Sequence, residues 1–232
     1  MLVVLGAISV TAWGAGPVES AGAAPATEAL DRLKAGNARF AADAVAGHSI
    51  GQTRRVELAQ SQTPYAIVLS CADSRVPPEI VFDTGLGDLF VVRAAGAVAD
   101  RAILASVEYG AEHLHSPLLV VMGHDSCGAV TAAIETKTSL GPNLDYLVKA
   151  IQPALEQARH AGEKAELKTA IMANVEQVIN DVLAESAIVR HLAESGRLQI
   201  VGAYYELESG RVHFSKPVGV ARQTTHDKTE GQ

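Results

Sequence analysis

The chain has 232 residues, of which 48% are hydrophobic and only 4% aromatic, and its formal net charge is −7. That length suits one large domain or two small ones, and the shortage of aromatics asks for a core of Ala, Val, Leu and Ile. With 19 Lys and Arg against 26 Asp and Glu there is no basic stripe, which excludes a general nucleic-acid binder.

In chain order, residues 2–16 (LVVLGAISVTAWGAG) form an uncharged apolar run, followed by small residues from Ser20 to Ala26. The run is short and Gly-interrupted for a membrane span. It reads as the apolar part of a secretory signal, with Ala21-Gly22-Ala23 as an A-x-A cleavage site. No Lys or Arg precedes it, so a tethered anchor or an apolar helix packed on a partner stays open. The expected organisation is a leader or anchor at 1–23, one domain at 24–222 and a polar tail at 223–232. Removing the leader deletes only Glu19 among charges, moving the net charge from −7 to −6. The expected location is the periplasm or envelope, or the cytoplasm if the segment is not exported, with no stable membrane span in the mature chain.

Thr27 is placed to cap a helix through EALDRLKAGNARFAAD, where Leu30, Leu33, Ala38 and Phe40 recur at roughly helical spacing. A second helical piece, TRRVELAQ, completes an N-terminal helical arm. Four apolar runs of strand length follow: Tyr65 to Ser70, Leu89 to Ala94, Leu118 to Met122 and Leu198 to Tyr205. Runs of this kind suit strands covered on both faces. Helical stretches lie between them, at Arg101 to His115, Ser126 to Thr136, Asn143 to His160 and Glu163 to Glu185. The alternation predicts an α/β fold with a central, mainly parallel sheet flanked by helices.

Two cysteines, Cys71 and Cys127, exclude a disulfide-rich scaffold and a four-cysteine zinc site. One disulfide, two inert core thiols, or two ligands of a mixed metal site remain open. Their surroundings favour the metal. Cys71 follows a strand and opens Cys71-Ala72-Asp73-Ser74-Arg75; Cys127 lies just past another strand, in Gly123-His124-Asp125-Ser126-Cys127-Gly128. Both fall where parallel sheets open their ligand crevices. Two Cys and one His make a three-ligand zinc set with a free fourth position. Gly123 and Gly128 are expected to let the backbone turn around the ligands. A serine-nucleophile reading fails, because the serine stands one position too late for G-x-S-x-G. A redox reading is poor, because no C-x-x-C is present.

The pair of motifs, C-x-D-x-R and H-x-x-C about fifty residues later, resembles the β-class carbonic anhydrases. The likeness runs through VPPEIVFDTGLGDLFVVRAAGAV, Ser106-Val107-Glu108-Tyr109 and Asn174-Val175, from about Leu30 to Val220. The resemblance implies one Zn²⁺ per chain on Cys71, His124 and Cys127, with Asp73 and Arg75 as the dyad beside it. It also implies that Asp73 can move onto the metal as a fourth ligand. The implied reaction is reversible hydration of CO2 to bicarbonate and a proton. Zinc lowers the pKa of water from 15.7 towards roughly 7 in favourable sites. Two thiolates should weaken that effect, so activity is expected to rise on the alkaline side of neutrality. Turnover of COS or CS2, or a zinc protein closed by Asp73, are the competing readings.

Family members are dimers or larger assemblies with the pocket at the dimer interface, which implies a homodimer or dimer of dimers joined by the N-terminal arm. Gln62 is the best match to a substrate-binding glutamine. Thr84 stands where the resemblance implies an aromatic pocket residue. The only tryptophan, Trp13, lies in the leader, so the bicarbonate regulation that uses a tryptophan is not expected. His48, His113 and His115 are candidate proton carriers, although ordinary surface histidines are the plainer reading.

Overall fold

The structure is a computed structural model and describes residues 26–48, 50–160 and 166–218. The leader expected at 1–23 and the tail at 223–232 lie outside these residues. Helices α1 (Ala26–Phe40) and α2 (Gln52–Leu58) precede a five-stranded sheet. Its strands are β1 (Ala66–Cys71), β2 (Leu89–Ala94), β3 (Leu118–His124), β4 (Gln199–Tyr205) and β5 (Val212–Phe214). The spatial order is β2-β1-β3-β4-β5. The first four strands run parallel, and β5 pairs antiparallel with β4.

The apolar runs explain the layering. β1 is buried along its whole length, and β3 and β4 at all but one position each. Such strands must be covered on both sides, because no face can be left to water. One face carries Ala66, Val68 and Val120 beneath Leu33 of α1, Val130 of α5 (Gly128–Glu135) and Ile151 of α6 (Pro142–His160). The other carries Ile67, Leu69 and Val121 beneath Val107 of α4 (Arg101–Glu108), Val178 of α7 (Leu167–Glu185) and Leu192 of α8 (Ala187–Glu194). Truncating such a residue to Ala is expected to cost about 2–5 kcal/mol. No helix among the described residues is long and apolar enough to cross a membrane.

Several element boundaries differ from the sequence expectation. Thr27 lies inside the first turn of α1, which already includes Ala26, so it is not the cap. The helix expected to His115 is α-helical only to Glu108 and widens into a looser turn at Tyr109–His113, which carries Gly110 and Ala111 into the core. α5 starts at Gly128 because Ser126 takes a left-handed backbone, with φ 53°, just ahead of it. The short α3 (Pro78–Val81), α8 and β5 were not anticipated.

Candidate metal centre

The sheet topology creates the site. From β1 the chain turns to β2 on one side and later to β3 on the other, so β1 and β3 part at their C-terminal ends. That is where α/β sheets open a crevice. Cys71 is the last residue of β1, His124 the last of β3, and Cys127 sits immediately before α5. Gly123 permits a close approach there. A Cβ on it would stand 2.7 Å from Ile171 Cγ2 and 2.9 Å from Val175 Cγ2, so α7 packs directly on the strand. Gly128 meets no such constraint, and the tight turn falls on Ser126 rather than on the glycine expected to need it.

The three side chains converge. Their donor atoms all lie within 4.8 Å of one another, and the two sulfurs are 4.0 Å apart. A tetrahedral zinc with metal–sulfur bonds of about 2.3 Å spaces its ligand atoms by about 3.5–3.8 Å. His124 Nδ1 lies 2.7 Å from the Asp125 carbonyl, so Nδ1–H donates there and the Nε2 lone pair faces the sulfurs' side. Nε2 is fully buried without a hydrogen-bond partner. An orphaned buried acceptor is costly, and beside two thiols a cation satisfies it. Thiolate and imidazole donors suit Zn²⁺, and three protein ligands leave the fourth position for chemistry. Both cysteines are free, and their separation is far from the roughly 2.05 Å of a disulfide. Without metal, the hydrogen bond between the sulfurs holds the Cys71 thiol below its usual range and pushes Cys127 up.

Asp73 and Arg75 stand at the edge of this centre. Arg75 grips the carboxylate with both ends of its guanidinium, Nε to Oδ1 at 2.9 Å and Nη2 to Oδ2 at 2.7 Å. The Arg75 backbone N–H adds a third bond, at 2.9 Å. The Arg75 side-chain bonds hold the Asp73 carboxyl well below the ordinary carboxylate range, against some desolvation. Asp73 Oδ2 stays 3.9 Å from His124 Nε2, so of its two expected posts this structure puts it on Arg75, outside the three-ligand cluster.

Three supporting residues escaped the sequence reading. Arg93 of β2 donates to the carbonyls of Cys71 (3.0 Å) and Asp73 (2.6 Å), bracing the loop that carries both. Asp125 accepts a hydrogen bond from Tyr204 Oη and another from the Leu207 N–H, tying the His124–Cys127 turn to β4. Gly96 donates its N–H to Cys71 Sγ at 3.3 Å. Arg93 alone carried a signal, as a charge inside an otherwise apolar strand.

Other expected residues lie elsewhere. Gln62 is exposed and precedes β1, at the strand end opposite Cys71, so one chain does not bring it to the centre. Thr84 donates its hydroxyl to the Glu79 carbonyl just beyond α3. His48 is bound to Asp83, with Nε2 2.9 Å from Oδ1, rather than standing free. His113 lies against the Tyr109 ring, and both His113 and His115 precede β3, whose far end carries His124.

The comparisons with known proteins agree with this geometry. The family model described as "Carbonic anhydrase" matches residues 66–212. The carbonic anhydrase of Mycolicibacterium smegmatis is 43% identical over 191 residues, covering 81% of this chain and 92% of that protein. Carbonic anhydrase 2 of Mycobacterium tuberculosis is 40% identical over 190 residues, covering 81% and 91%. Among solved structures, the Coccomyxa β-carbonic anhydrase in complex with acetazolamide superposes with a TM-score of 0.65 at 25% identity, covering 83% of this chain and 84% of that one. A tetrameric β-carbonic anhydrase of Sordaria macrospora gives 0.63 at 25% identity, covering 72% and 89%. A zinc-type centre in the crevice of a parallel sheet defines the class, a metal-dependent α/β enzyme. Within it, the chain belongs to the β-carbonic anhydrases.

Proposed function

We propose that this chain catalyses the reversible hydration of CO2 to bicarbonate and a proton. The observation that carries the proposal is the buried Cys71–His124–Cys127 cluster with an Arg-clamped Asp73 at its edge. Held there, Zn²⁺ supplies the acidity that makes water a nucleophile near neutral pH. The protein's own part is orientation. Asp73, ionised by its contact with Arg75, is an acceptor for the proton of the attacking water and turns a lone pair towards the carbon of CO2. Arg93 fixes the carbonyls on both sides of Ala72, so the thiol and the carboxylate keep their spacing. The test is stopped-flow hydration of CO2, with COS and CS2 turnover measured in parallel on the same zinc-loaded protein. Fast CO2 hydration supports the reading; turnover of only COS or CS2 replaces it.

The functional unit in this proposal is a homodimer or a dimer of dimers. Val45, Ile50, Val56, Ile80 and Leu86 are exposed around the arm and the loop before β2, and Tyr109 is exposed against Phe90 of that edge strand. Exposed apolar side chains of this size beside an arm and an edge strand support a surface that a partner covers. A second copy would cover them and could supply Gln62 to the neighbouring pocket. The proposal includes export, supported by the apolar run at 2–16 and its A-x-A site, and N-terminal sequencing of the mature protein tests it.

A further inference from the structure

Asn174 is a polar side chain in the middle of the apolar face of α7, only 4% exposed. Its one hydrogen bond to another element runs from Nδ2 to the Gly96 carbonyl, at 2.8 Å. Gly96 in turn donates its N–H to Cys71 Sγ. A single short loop therefore joins a buried amide on a helix to one sulfur of the metal centre.

That loop is strained. Gly96 and Ala97 are successive left-handed residues, with φ of 65° and 56°. For a non-glycine such as Ala97 this backbone is strained and persists only where the surroundings enforce it. Packing supplies part of the enforcement. A Cβ on Gly96 would stand 2.9 Å from Ile151 Cδ1 and 3.2 Å from Ala129 Cβ, so α5 and α6 press on the loop from one side. Steric pressure of that kind excludes side chains but does not orient a peptide plane. The Asn174 amide does, because among the described residues it is the only side chain bonded to that segment's backbone besides Cys71 itself.

We propose that Asn174 is a positioning residue for the metal ligand Cys71: by anchoring the Gly96 carbonyl it holds the Gly96 N–H on the Cys71 sulfur. A hydrogen bond to a metal thiolate withdraws electron density from sulfur, so the ligand donates less charge and the metal stays a stronger acid. Asn174 thus sets the electronic character of the centre from α7, without touching the metal. The inference rests on the metal site of the proposed function.

The test uses protein loaded with an NMR-active cadmium isotope in place of zinc. In the wild type, scalar coupling between cadmium and the Gly96 amide proton is expected, carried through the N–H···S bond. Asn174→Leu, which keeps the volume but removes the donor, should abolish that coupling. It should also weaken metal binding about 10- to 100-fold in chelator competition. In cobalt-loaded protein the same substitution should move the sulfur-to-metal charge-transfer band to lower energy. Asn180→Leu, an exposed position on the same helix, should change none of these. Cadmium bound at Cys71, His124 and Cys127 without coupling to Gly96 in the wild type overturns the inference and leaves the metal site standing. That wild-type reading needs no variant to fold. Failure of cadmium to bind these three residues overturns the metal site itself.

Discussion

The loop after β1 and the loop after β3 bring a sulfur ligand to the same point, yet different forces hold them. The β1 loop is braced by charge: Arg93 grips its carbonyls and Arg75 grips Asp73, while the Arg75 side chain is half exposed. The β3 loop is braced by packing and buried polar contacts: Gly123 lies under α7, His124 is buried, and Asp125 is pinned by Tyr204 and Leu207. One side of the centre is a rigid wall and the other is a polar edge that faces reactants. A metal enzyme needs both, since ligands must not move while an acceptor such as Asp73 must stay near water.

Substitutions on the two sides should therefore separate metal binding from turnover. The largest effect belongs to Cys71→Ser, which should lose zinc and with it all hydration, seen by metal analysis of the purified variant. Next comes Asp125→Asn on the rigid side, where zinc affinity should fall about 10- to 100-fold, because the turn presenting His124 and Cys127 loses its anchor. Chelator competition reads that change. Arg75→Gln on the polar edge should leave zinc content unchanged and lower turnover about 10-fold, by freeing Asp73. Equal zinc loss in the last two variants would erase the distinction between the loops.

The smallest effect on activity is expected remote from both loops, at Asp83. Burial raises its pKa, but the Ala46 N–H, Arg39 and His48 outweigh burial and leave it lowered. A group lowered on folding contributes stability that is present above the ordinary carboxylate value of about 3.9 and lost as pH falls through the folded value. Asp83→Asn should therefore be less stable at neutral pH and show a shallower loss of stability on acidification. Thermal melts from about pH 6 down to about pH 2 measure the slope, and hydration should scarcely change.

The reacting parts of the site were legible in the sequence because local motifs encode them. Cys71, Asp73 and Arg75 occupy one short turn, His124 and Cys127 another, and each follows an apolar run that β1 and β3 reproduce. The supports were not legible, because they are long-range pairings. Asn174 reaches Gly96 across 78 residues and Tyr204 reaches Asp125 across 79; Asn174-Val175 belongs to the family likeness, but neither pairing leaves a local pattern. The three residues of β5 are too short to show alternation. α8 did carry a signal, since Ser186 caps it by accepting from the Val189 N–H. Gln62 is a different case: its sequence position places it before β1 and says nothing about which chain's pocket it enters.

The central claim is that three residues hold the metal while a fourth, Asp73, works beside it. The most direct measurement is zinc content and stopped-flow CO2 hydration on one preparation of Asp73→Asn, set against the wild type. The account predicts one zinc per chain in both proteins, hydration rising on the alkaline side in the wild type, and loss of most turnover in the variant. Undiminished hydration by Asp73→Asn, with zinc in place, would contradict it.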